Sequence, residues 1–134
     1  MTARELDRRE VLAAAGALIG LALPPIGCSA DAEPPLAPGQ AAIPLSELRP
    51  GERRVVMVGE NPVEVLHTGD AVTARMLRCT HMGCVVSWRP ALDEYVCPCH
   101  DGRYDANGRP IAGPPSRPLA TVPVSIRGSR VVLG

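Results

Sequence analysis

Cys79-Thr80-His81-Met82-Gly83-Cys84 and, after twelve intervening residues, Cys97-Pro98-Cys99-His100 decide how this chain is read. Each block sets one cysteine and one histidine at ligand spacing, and each carries a second cysteine beside them. Cys79, His81, Cys97 and His100 together offer two thiolates and two imidazoles. That donor set suits a [2Fe–2S] cluster in which two histidines replace two cysteines on one iron. A zinc site of two cysteines and two histidines is the chemical alternative. Such sites usually group the cysteines as C-x₂₋₄-C and the histidines as H-x₃₋₅-H. Here each half is mixed, C-x-H-x₂-C and C-x-C-H. Two disulfides drawn from the four cysteines are the other alternative, and they leave both histidines without a role.

The two blocks resemble those of the Rieske iron–sulfur family. The resemblance implies that Cys79 and Cys97 bind the inner iron and that His81 and His100 bind the outer one, nearer solvent. Neutral imidazole in place of anionic thiolate reduces the negative charge around the metal, so an added electron costs less than in all-cysteine ferredoxins. A ring nitrogen left free also carries a titratable proton. The family further divides on the extra pair, here Cys84 and Cys99. Its quinol-oxidising and periplasmic members carry them as a disulfide, whereas Rieske ferredoxins and ring-hydroxylating oxygenases generally lack them. Disulfides persist in oxidising compartments. Two free buried thiols are the alternative.

High-potential members of the family read C-P-C-H-G-S-x-Y, with serine and tyrosine hydroxyls bonded to sulfur. This chain reads Cys97-Pro98-Cys99-His100-Asp101-Gly102-Arg103-Tyr104. Tyr104 matches, Gly102 stands where the serine would be, and Asp101 replaces a glycine. Hydrogen bonds to sulfur withdraw electron density. The expected potential is therefore below that of the high-potential respiratory members and above that of plant-type ferredoxins. The negative charge of Asp101 favours the oxidised cluster and a protonated imidazole. Downstream, Gly113-Pro114-Pro115-Ser116-Arg117-Pro118 resembles the family's proline loop, which covers the cluster from a third side. Proline fixes φ and removes donors, so such a loop holds its shape without a ladder. Met82 falls at a position usually held by leucine, at an apolar tip where a redox partner docks. The lone His67 has no ligand-spaced partner and reads as a surface strand residue.

Near the N-terminus, Arg8-Arg9 is followed by an apolar run of thirteen residues, 11–23, and then by Pro24-Pro25. That length suits a signal h-region and is short for a membrane span. Twin-arginine signals serve proteins exported already folded, which fits a cofactor inserted in the cytoplasm. Three fates are open. Ile26-Gly27-Cys28 resembles the end of a lipobox, which would lipidate Cys28. Ala30-Asp31-Ala32 offers an A-x-A cleavage site, and an uncleaved anchor is the third. The expected place is the periplasmic face of a bacterial inner membrane, or the periplasm.

Residues 1–30 thus read as signal or anchor, 31–41 as an extended Pro/Ala-rich tether, and 42–134 as one small domain. With no phenylalanine, one tryptophan and two tyrosines, its core must come from Val, Leu, Ile and Ala. So small a core gains from a metal cluster and a disulfide. The net charge is zero and the fourteen cations, all arginine, are scattered, which argues against nucleic acid. Alternating apolar residues predict short strands at 54–58, 62–67, 71–78, 85–88, 94–96, 120–127 and 130–133. The expected fold is all-β, a Rieske-like antiparallel β-sandwich base with a cluster-binding subdomain, about 79–118, inserted between its strands.

No substrate pocket and no second cofactor motif show in the sequence, so the chain reads as an electron-transfer module without activity alone. One expectation is the iron–sulfur subunit of a quinol-oxidising complex, taking electrons from quinol beside a cytochrome b and passing them to a c-type cytochrome. The other is a periplasmic carrier, or the small subunit of an oxidoreductase such as an arsenite oxidase.

Overall fold

The computed structural model describes residues 33–134. Arg8-Arg9, the apolar run at 11–23, Cys28 and the Ala30-Asp31-Ala32 site lie outside the described residues. Ten strands follow in order: β1 (Ala41–Pro44), β2 (Arg53–Val58), β3 (Asn61–Thr68), β4 (Ala71–Met76), β5 (Ser87–Arg89), β6 (Glu94–Val96), β7 (Arg103–Asp105), β8 (Pro110–Ala112), β9 (Val124–Arg127) and β10 (Arg130–Leu133). A single 3-10 turn, Leu45–Glu47, is the one helical element among the described residues. The fold is all-β.

Every strand pairing is antiparallel. Two three-stranded sheets, β1-β10-β9 and β2-β3-β4, make the base, and a four-stranded meander, β5-β6-β7-β8, makes the inserted subdomain. The β2–β3, β3–β4 and β9–β10 hairpins each turn on two residues, Gly59-Glu60, Gly69-Asp70 and Gly128-Ser129. In each the glycine has φ between 56 and 60° while the residue after it does not. That is the II′ pattern, whose twist matches the strands it joins. Val-rich strands then bring the sheets together: Ile43, Val63, Val65, Ala74, Val131 and Leu133 form the base core. A second core holds Leu77, Cys79, Val86, Tyr95, Cys97, Tyr104 and Leu119.

The chain enters the subdomain from β4 and returns beside it. Met76 N–H donates to Ala120 O and Val122 N–H to Ala74 O, at 2.8 and 2.9 Å. Thr121 forms only an isolated bridge with Arg75, so the strand expected over 120–127 is shortened to Val124–Arg127. Pro123 cannot donate to a ladder and marks the break. The subdomain also has a second hairpin, β7–β8, that strand patterning over three-residue segments did not show. The stretch expected as a free tether is partly folded: Gln40 closes a turn on Ala37, and its side chain donates to Gly134 O at 2.8 Å. Glu33 pairs with Arg130. His67 is half-buried rather than a surface residue, with Nδ1 3.1 Å from Leu48 O.

Strand β3 is buried on both faces, because Val63 and Val65 meet the base core while Glu64 points toward the subdomain. Glu64 is 3% exposed, the one charged side chain in the cores of the described residues. Its Oε1 accepts from Arg53 Nη1 at 2.7 Å and from the Tyr95 hydroxyl at 2.5 Å. Arg75 Nη1 reaches the same hydroxyl at 3.0 Å. Arg53 also lies flat on Trp88, 3.5 Å from the ring centroid, and Trp88 meets Tyr95 edge-on. Burial, with the adjacent Glu64, pushes the Tyr95 phenol above its usual value. Glu64→Ala would strand Arg53 and Tyr95 in a dry junction and is expected to cost about 3 kcal/mol. Glu52→Ala, at an exposed pair with Arg49, is expected within about 0.5 kcal/mol of the parent. Urea unfolding of both variants measures this, and equal effects would refute the junction's role.

Candidate metal centre

Both ligand blocks are loops that close on themselves. In the first, Cys79 N–H donates to Cys84 O and Gly83 N–H to Cys79 O, each at 2.8 Å. In the second, Cys97 N–H donates to Gly102 O at 2.7 Å. The two turns treat sulfur alike. The backbone amides of His81 and Met82 favour a charged Cys79 sulfur, and those of Cys99 and His100 a charged Cys97 sulfur. Such paired amides at the second and third residues on are a nest for a negative atom.

The four sequence-predicted donors fall into two pairs. Cys79 and Cys97 are buried, and each thiol shifts the other's ionisation. His81 and His100 are exposed, with ring centroids 5.0 Å apart and planes at 83°. Cys84 and Cys99 form a disulfide that ties one loop to the other across fifteen residues. The Cys97 sulfur lies within 4.8 Å of both disulfide sulfurs, so the bridge packs directly against it. Met82 projects from the tip of the first loop, 68% exposed.

Tyr104 is fully buried on β7 and its hydroxyl donates to Cys79 Sγ at 3.2 Å. Thr80 aims it. The Thr80 N–H donates to the phenolic oxygen at 3.0 Å, and the two hydroxyls lie 3.1 Å apart. Thr80 Oγ1 also donates to Arg117 O at 2.8 Å, which ties the proline segment to the first loop. Burial pushes the Cys79 thiol up. Tyr104, the two backbone amides and the Cys97 thiol outweigh that and hold it below the usual cysteine value. Cys97 lacks a hydroxyl partner. Burial and the neighbouring Cys79 push it up despite its own two amides. Tyr104 is pushed up by burial and by the proton it gives to Cys79.

Gly102, at the position of the family's serine, faces the proline segment. A Cβ there would stand 3.1 Å from both Cδ and Cγ of buried Pro115. Asp101 has φ 53°, a left-handed conformation that aspartate tolerates better than most residues. Gly113 packs on this strap: at φ +80° its Cβ would fall 2.8 Å from Asp101 O and Gly102 Cα. Two residues of the site were not legible as such. Thr80 was a spacer inside a motif, and Arg78, described below, preceded the motif.

The residues fit the cluster that the sequence suggested. Two buried thiols and two exposed imidazoles, the rings edge to face, lie on a pair of loops joined by a disulfide. Comparison with known proteins agrees. The Rieske [2Fe-2S] domain matches residues 40–123, and the chain belongs to that family. It is a Rieske protein, and the family's cofactor is a [2Fe–2S] cluster.

Among relatives, it is 36% identical over 88 residues to the cytochrome b6-f complex iron-sulfur subunit of Chlorobaculum thiosulfatiphilum, covering 66% of this chain and 49% of that one. The chain spans about half the length of the curated relatives it matches. Among solved structures, it resembles a chain of a hyperthermophilic respiratory Complex III (31% identity, TM-score 0.56, 71% of this chain and 73% of that one). It also resembles the plasma membrane Rieske protein of Synechocystis (31% identity, TM-score 0.51, 61% of this chain and 85% of that one).

Gly113→Ala is expected to unseat the proline segment, costing about 2–4 kcal/mol from left-handed strain plus overpacking. Gly39→Ala has φ +84° but open space around it, and is expected to cost about 1 kcal/mol. Thermal unfolding of both separates collision from backbone strain.

Proposed function

We propose that the chain is a one-electron carrier in which Cys79, Cys97, His81 and His100 hold a single cluster. Two buried thiols and a pair of exposed imidazoles, on loops joined by the Cys84–Cys99 bridge, carry this reading. When bound, the cluster supplies one reversible one-electron site. Tyr104 and the loop amides hold negative charge on sulfur, and the two histidines present their rings to solvent and to a partner. An imidazole holding iron through one nitrogen would keep the other for a proton, which would let electron and proton uptake be coupled as quinol oxidation requires. Met82 offers an apolar contact beside those rings.

The place proposed is the periplasmic side of a bacterial membrane, reached by twin-arginine export. Support comes from Arg8-Arg9 with the apolar run behind it and from a disulfide, which persists in oxidising compartments. The electron donor proposed is quinol at a cytochrome b or a partner oxidoreductase, and the acceptor is a c-type cytochrome. The relative named as a cytochrome b6-f complex iron-sulfur subunit supports a partner of the cytochrome type.

Electron paramagnetic resonance of the reduced full-length protein tests the carrier: a [2Fe–2S] signal with average g below that of all-cysteine clusters is expected. Stoichiometric zinc with no such signal would sink the proposal. Co-purification from membranes with a cytochrome b would mark a complex subunit; its absence with an intact signal would mark the carrier or oxidoreductase subunit.

Removing or adding one hydrogen bond to sulfur tests the tuning. Tyr104→Phe is expected to lower the midpoint potential in film voltammetry. Gly102→Ser is expected to raise it, at a stability cost of about 1 kcal/mol because Pro115 must give way. Unchanged potentials in both loaded variants would remove hydrogen bonding as the control.

A further inference from the structure

Arg78 stands immediately before Cys79, half-buried, and its guanidinium is spent on backbone alone. Nη1 donates to Gly83 O at 3.2 Å and Nη2 to Glu60 O at 3.2 Å. Gly83 belongs to the first ligand loop, between His81 and Cys84. Glu60 belongs to the β2–β3 turn of the base. No carboxylate lies within ion-pair distance of Arg78 among the described residues, in contrast to Arg53, Arg54, Arg103 and Arg130. Its backbone forms the isolated bridge with Val85 that closes the neck of the same loop.

A planar fork with fixed donors spans two carbonyls as a single ammonium cannot. The charge is permanent and cannot titrate away. Two consequences follow at one atom group. The fork fixes the ligand loop to a rigid hairpin of the base, and an uncompensated cation rests on the carbonyl of a loop that must carry extra negative charge on reduction. Attraction between charges falls only with the inverse of distance, so a cation held on this loop favours the added electron.

We propose that Arg78 is a positioning residue of the metal centre that both clamps the first ligand loop to the base and raises the reduction potential. This rests on the carrier reading above. Through Arg78 the chain partly offsets electrostatically what it lacks in sulfur hydrogen bonds at Gly102.

The test compares Arg78→Met, Arg78→Gln and Arg78→Lys in the full-length, cluster-loaded protein. Arg78→Met is expected to lower the midpoint potential, by a margin that shrinks as ionic strength rises, since the site is partly open to solvent. Arg78→Gln should fall with it, because it keeps a donor and loses the charge. Arg78→Lys should hold the parent potential yet lose visible cluster absorbance faster than the parent, because the charge stays while the two-carbonyl span is lost. A parent potential in loaded Arg78→Met or Arg78→Gln overturns the electrostatic role. Parent-like cluster retention in Arg78→Lys overturns the clamp. Failure of the parent itself to show the [2Fe–2S] signal would instead defeat the carrier reading, so the two are told apart.

Discussion

A carboxylate placed between two lobes fixes how they meet. Glu64 leaves water on folding, and an ion that does so costs several kcal/mol unless partners replace its hydration. Those partners come from both sides: Arg53 from the base and the Tyr95 hydroxyl from the subdomain. Apolar contact alone would let the β5–β8 sheet slide or rotate over the base. Hydrogen bonds to one oxygen restrict the angle as well as the distance. Trp88 packs against the Arg53 guanidinium on the half-exposed side of the junction. Because β6 also carries the chain into Cys97, the orientation set at Tyr95 is passed within two residues to the metal centre.

Beyond that junction the residues proposed to bind metal sit in loops, where no ladder holds them. Each loop is secured by a different kind of constraint. The disulfide removes chain entropy over its fifteen-residue span, on the order of 3 kcal/mol for a loop of that size. Thr80 and Tyr104 hold the first loop by oriented hydrogen bonds, and Arg117 O extends that set to the proline segment. Close packing holds the third side, where Gly113 and Pro115 rest on the Asp101-Gly102 strap without donating a bond to it. The two thiols are thereby made unequal. Cys79 gains a hydroxyl and settles low, while Cys97 is left dry and settles high.

The sequence showed this arrangement where chemistry is spaced along the chain, and hid it where chemistry is gathered by folding. Cys79, His81, Cys97 and His100 announce themselves because ligand spacing is local. Base strands β2, β3 and β10 are legible because valine recurs in each of them, two or three times within four to eight residues. Strands β7 and β8 are three residues each and bounded by Gly102, Pro110 and Gly113, which mask them as turn; β7 pairs with β6 through Tyr104 opposite Tyr95. Glu64 was invisible for a different reason. In Val63-Glu64-Val65 an alternating charge reads as a solvent face, and only the docking of a distant hairpin turns that face inward. Arg78 and Thr80 likewise take their meaning from carbonyls and a hydroxyl far along the chain.

The departures of the second block from the family's pattern become coherent through the strap they share. Position 101 needs a left-handed backbone, which glycine supplies freely and which aspartate adopts at modest strain. Asp101 therefore adds a negative charge beside His100 without changing the path of the chain. Position 102 has an ordinary backbone, so glycine there is not demanded by φ. What it provides is room, since Pro115 lies where a Cβ would press. A serine could stand at 102 only if the proline segment sat a few tenths of an ångström farther out. Closeness of that cover and a hydroxyl on the strap thus compete for the same space, and this chain has taken the cover. In the proposed reading both changes favour the oxidised state, one by charge and the other by a missing donor. The fixed cation of Arg78, on the opposite loop, acts against them.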